Sequence, residues 1–131
     1  MSGNWDANVR LLYPAEKGQR VALESILVGD AFDVVTHVEI GKGIMQFATG
    51  WKLFVSVRNV SRCTVLATET TEGTLPPANE HWHRQIPLAI DAGWVADEGD
   101  MLDIIATFRF RAGANEDYSF ARSEPFVVAV S

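Results

Sequence analysis

The sequence predicts an all-β protein, a sandwich or barrel of about seven strands preceded by an N-terminal segment. Three observations predict it. Apolar and polar residues alternate with period two in run after run. Gly, Pro, Asn and Asp punctuate those runs. One phrase also occurs twice, Gly29-Asp30-x-x-Asp33 and Gly99-Asp100-x-x-Asp103, each time leading into β-branched and apolar residues.

The elements follow in order. "NWDANVRLLY" near the start reads as a turn of helix or an extra strand, and residues 1–20 are set apart as an N-terminal arm or strand. A single domain is expected over residues 21–131. "RVALESILVG" is a short strand candidate. In "FDVVTHVEI", Phe32, Val34, Thr36, Val38 and Ile40 share one face, while Asp33, Val35, His37 and Glu39 share the other, the pattern of a half-buried strand. "WKLFVSVRNV" sets Trp51, Leu53, Val55 and Val57 inward against Lys52, Ser56 and Arg58, with Phe54 on the outer face. "CTVLATET" is a further candidate.

"HWHRQIPLAI" places Trp82, Ile86, Leu88 and Ile90 on one side and His81, His83 and Gln85 on the other. Pro87 has no N–H for a ladder, so this strand belongs at an edge or carries a break. "MLDIIATFRFR" turns Leu102, Ile104, Ala106, Phe108 and Phe110 inward, with Asp103, Thr107, Arg109 and Arg111 outward. "PFVVAV" closes the chain as a terminal strand, and "GTLPPANE" is a surface loop.

The repeated phrase has a local explanation. Gly reaches backbone angles other residues avoid, and Asp bonds nearby amides at a turn. The segments after the two copies differ in length and content, which favours two strands starting under one constraint over an internal duplication. The order "ALESILVGDAFDVVTHVEIG", "WKLFVSVRNVSR", "RQIPLAI", "DEGDMLDIIATFRFRAG", "SEPFVVAV" resembles the stand-alone immunoglobulin-like and fibronectin type III-like sandwiches of bacterial proteins. The resemblance covers roughly Val21 to Val130 and implies an immunoglobulin-like antiparallel β-sandwich with an N-terminal arm. In such folds Gly-Asp often leads into the second and the penultimate strands, and Trp51 looks like their core tryptophan. The cysteine pair of antibody domains is absent, since Cys63 stands alone. The fold carries no activity with it.

Composition narrows the classes. The chain has 131 residues, 47% of them hydrophobic, and a formal net charge of −6. That length suffices for a core without disulfides or metals. A nucleic-acid binder carries a basic stripe. Here the densest basic group in sequence, Arg109, Arg111 and Arg122, sits among Glu116, Asp117 and Glu124. Neither nucleic acid nor a membrane is expected as a partner. No signal peptide and no spanning segment is read, so a cytoplasmic location is expected.

Candidate chemistry is sparse. His81 and His83, two apart on a strand, face one way and suit a zinc or copper ion if His37 and Glu39 join them; otherwise they are a solvated face. The carboxylates Asp30, Asp33, Asp97, Glu98, Asp100 and Asp103 suit calcium if both corners share an end, but turn capping explains each of them. Cys63 reads as a small buried residue in a strand. No nucleophile elbow, phosphate loop or dinucleotide fingerprint is present, so no cofactor and no catalysis are expected. Trp5 and Trp94 lie in polar, turn-rich stretches and either offer exposed contact area or seal an end of the sandwich.

The expectation is a binding or structural assembly module that joins a protein partner or copies of itself. Its contact residues would be Trp5, Leu11, Leu12, Tyr13, Phe54 and Trp94, with an apolar arm reaching a neighbour's sheet edge. The alternatives are a carbohydrate-binding module using exposed tryptophans and a metal-binding protein using His81 and His83.

Overall fold

The computed structural model describes residues 7–130. Its elements are β1 (Ala7–Glu16), β2 (Ser25–Leu27), β3 (Phe32–Ile40), a single helical turn α1 (Lys42–Met45), β4 (Ala48–Asn59), β5 (Thr64–Thr74), β6 (Trp82–Ile90), β7 (Met101–Ala112), β8 (Asn115–Arg122) and β9 (Phe126–Ala129). Two sheets stack. The smaller has the order β1-β3-β6. The larger has the order β2-β9-β7-β4-β5, with β8 also on β7.

The two sheets form an all-β sandwich. The strand count exceeds seven because two edge strands are broken. β1 pairs antiparallel with β3, the chain turns at Lys17 and Gly18, and β2 then joins the other sheet parallel to β9. Likewise β8 and β9 both run along one side of β7, separated by Ser123-Glu124-Pro125, where the register slips by one residue. Pro125 has no N–H to donate to a ladder. The N-terminal segment takes the strand form over Ala7–Glu16.

The inward phases meet between the sheets. Leu53, Val55, Val57, Leu102, Ile104, Ala106, Phe108 and Phe110 from the larger sheet face Phe32, Val34, Val38 and Ile40 from the smaller, all buried. Each large side chain stabilises by about 1.5–3 kcal/mol relative to exposure. Trp51 lies in this core at tilted angles to Trp82 and Phe108, with centroids 6.4 and 6.2 Å away. Its register partner is Gly73, where a Cβ would come within 2.8 Å of Trp51 Nε1. Any larger residue there would collide with the indole.

The repeated phrase opens the middle strand of each sheet. Gly29 and Gly99 both adopt positive φ, +76° and +85°. Gly29 O accepts from Gly93 N, and Gly99 N donates to Val128 O. The last Asp of each phrase is buried on the outer side of its strand. Asp33 accepts from Gly18 N at 3.0 Å and pins the β1–β2 turn. Asp103 is wholly enclosed and accepts from Arg58 and Arg122. Of the capping carboxylates, Asp100 accepts from Asn59 Nδ2 and Asp97 N.

Cys63 departs from expectation. It is exposed in the β4–β5 turn at φ 55°, so the turn needs a left-handed residue there rather than a strand residue. Among the described residues β6 pairs only with β3, which places Pro87 on an edge strand.

Candidate functional site

The outer face of the larger sheet is set by an inverted strand. On β8, Asp117 and Ser119 point inward, where Asp117 Oδ2 accepts from Ala7 N and Ser119 Oγ from Val9 N, both at 3.1 Å. These bonds tie the edge of β1 to β8. Because side chains alternate, the same bonds force Tyr118 and Phe120 out to solvent. Phe120 is 73% exposed and Tyr118 47%.

Register assembles the rest. Phe54, Thr107 and Phe120 lie in one row across β4, β7 and β8. Lys52, Arg109 and Tyr118 form the next row, and Ser56, Ile105 and Arg122 flank the first row on its other side. Half-buried Phe54 and Ile105 thus join Phe120 and Tyr118 in an apolar patch rimmed by Lys52, Arg58, Arg109, Arg111 and Arg122. Lys52 Nζ stands 5.0 Å from the Phe54 ring centroid.

The charges differ in how far they are satisfied. Arg58 clasps Asp103 through two bonds of 2.9 and 2.8 Å, and Arg122 adds a third. Burial pushes the Asp103 carboxyl up, but the hydrogen bonds of Arg58 and Arg122 hold it below the ordinary value of 3.8. Arg111 pairs with Glu116 at 2.7 Å, and Tyr118 also donates to that carboxylate at 3.0 Å. The Arg111 hydrogen bond keeps Glu116 below its ordinary value. Arg109 is different. Its Nε is enclosed with no hydrogen-bond partner among the described residues, an arrangement that costs about 1–3 kcal/mol. It lines a cavity of about 230 Å³ with Thr49, Gly50, Glu72, Thr74 and Arg111. A Cβ at Gly50 would come within 3.0 Å of the Gly73 carbonyl oxygen, so the close approach of β5 favours glycine there.

The residues singled out from sequence scatter. Phe54 sits on this face. Leu12 does not reach solvent, because β1 alternation turns it into the core at 8% exposure; its neighbour Leu11 is 56% exposed on the outer side of the smaller sheet. Tyr13 donates its hydroxyl proton to Arg20 O at 2.8 Å and lies 3.0 Å from His37 Nε2. The phenol has one proton, so His37 Nε2–H donates back to it. Trp94 is buried at 9%, donating to Asp30 O at 2.8 Å and meeting Phe32 edge-on, which makes it a plug beside the Gly29-Asp30 corner. Trp5 lies outside the described residues.

His81 and His83 are exposed with ring centroids 5.9 Å apart. His81 Nε2 and Arg10 Nε each lie 3.4 Å from the Glu39 carboxylate. Among the described residues no three His, Cys, Asp or Glu side chains are grouped to hold a metal ion. Trp82 is half-buried beneath Arg84, so the described tryptophans make no flat exposed row for a sugar.

Sequence reasoning missed β8, and with it Tyr118 and Phe120. The signal was present in "NEDYSFAR": strict alternation, with aromatics on one phase and Asp117 and Ser119 on the other.

No family model matches the chain, and no curated protein matches it. Among solved structures it is similar to a CARDB domain from Pyrococcus furiosus solved in complex with di-metal ions. The identity is 16%, over 96% of this chain and 86% of that one, at a TM-score of 0.42. Among the described residues no helix is long and apolar enough to cross a membrane.

Proposed function

We propose that this chain is a non-catalytic interaction module that joins a protein partner, or further copies of itself, through the outer face of the larger sheet. One observation carries the reading: Phe54, Ile105, Phe120 and Tyr118 form a continuous outward patch fixed by the inward bonds of Asp117 and Ser119. Aromatics and arginines are the side chains enriched at interface centres. A rigid sheet presents them at low entropic cost.

The test compares faces. Wild type, Phe120→Ser and Leu11→Ser are purified, each is weighed by light scattering, and co-purifying protein is quantified from the source cells. A stoichiometric partner or stable oligomer is expected with wild type and Leu11→Ser and lost with Phe120→Ser. Equal behaviour of all three would overturn the reading.

A further inference from the structure

Resting on that interaction reading, we infer that the partner of this face is an acidic protein segment, with a carboxylate seated against Arg109 and Arg111. The face gathers five of the chain's 11 Lys and Arg residues, namely Lys52, Arg58, Arg109, Arg111 and Arg122. Only Glu72, Asp103 and Glu116, of 17 Asp and Glu, share it. It is therefore a positive face on a chain whose net charge is −6. Such a reversal of sign orients an anionic partner and repels a second basic one.

The cations are not equally available. Arg58 and Arg122 are committed to Asp103, and Arg111 to Glu116. The Arg109 Nε is enclosed with no acceptor among the described residues, and its guanidinium lines, together with Arg111, a cavity of about 230 Å³. A carboxylate entering there meets Arg109 and Arg111 together, which suits planar guanidinium recognition. Phe54, Ile105 and Phe120 lie beside it to receive apolar side chains. The carboxylates of Glu72 and Glu116 within the face, and the acidic remainder of the chain, oppose a continuous phosphate backbone. A protein segment interrupting its charges with apolar residues fits both features.

The experiment uses the full chain and three fluorescent probes: a peptide alternating glutamate and leucine, its lysine–leucine counterpart, and oligo-dT. Anisotropy is read for wild type, Phe120→Ser and Arg109→Gln, with circular dichroism confirming the fold of each. The glutamate–leucine peptide is expected to bind wild type, to weaken about tenfold with either substitution, and to weaken as salt rises. No binding of that peptide, or equal binding of the lysine–leucine peptide or of oligo-dT, overturns the inference. Loss with Phe120→Ser but not with Arg109→Gln also overturns it, while leaving the contact face standing. Indifference to both substitutions removes the inference and the face together.

Discussion

The two outer faces of this sandwich treat their side chains in opposite ways. On the smaller sheet, Val35 lies between Tyr13 and Pro87 in register and is fully buried. Tyr13 bonds both the Arg20 carbonyl and His37, and Glu39 gathers Arg10 and His81. On the larger sheet, Phe120 and Tyr118 stand in solvent, and the Arg109 Nε has no acceptor among the described residues. The smaller sheet's outer face buries Val35 and pairs its central polar groups, leaving Leu11 exposed, whereas the larger sheet's leaves Phe120 in solvent beside paired arginines. The difference teaches that exposure here follows from how strand phases are fixed. β8 gives its inward positions to Asp117 and Ser119 to hold β1, and its aromatics are left outside.

The comparison breaks first at Val35. Val35→Ser is expected to cost about 3 kcal/mol, from lost burial and an unpaired hydroxyl, measured by urea unfolding. A loss below about 0.5 kcal/mol would mean the smaller sheet's outer face is not closed. The paired aspartates come next. Asp103→Asn is expected to cost about 2 kcal/mol, because it weakens bonds to two arginines, and Asp33→Asn about 1 kcal/mol, for one backbone bond. The reverse order would show that the second Gly-Asp corner is not the more firmly held.

Acid separates the faces further. Burial lowers the His37 pKa below 6.5, so the folded state favours the neutral ring. Its contribution is complete above 6.5 and is lost as pH falls through 6.5 toward the lower folded value. Asp103 is held below 3.8, so its contribution persists above that value and is lost only as pH falls further. A melting temperature that declines in two stages is expected, with His37→Gln removing the upper one. The smallest effect on stability belongs to Phe120→Ser, which is expected to change it by less than about 0.5 kcal/mol while weakening binding of the glutamate–leucine peptide about tenfold. A large loss of stability would make Phe120 a structural residue.

Much of the fold was legible because one face of most strands is dry. Phe32 to Ile40, Trp51 to Val57 and Leu102 to Phe110 alternate as a buried sheet demands, and their inward phases are buried. The Gly-Asp corners were legible for the same local reason in both places. β8 was not, because its polarity is inverted and its polar side faces in. β1 was only half legible, since a bulge between Val9 and Leu11 interrupts its alternation. The basic face was invisible because register builds it: Lys52 meets Arg109, and Arg58 meets Asp103, across strands far apart in the chain. Val35 follows the outer phase of its strand, yet its neighbours bury it, and one sequence does not state neighbours.

The most direct test of the open-face account is a backbone amide NMR titration of the full chain with the glutamate–leucine peptide. The account predicts shifts confined to β4, β7 and β8 around Lys52, Phe54, Arg109 and Phe120, with β1, β3 and β6 unmoved. Shifts centred on Leu11, His37 and His83 instead would contradict it.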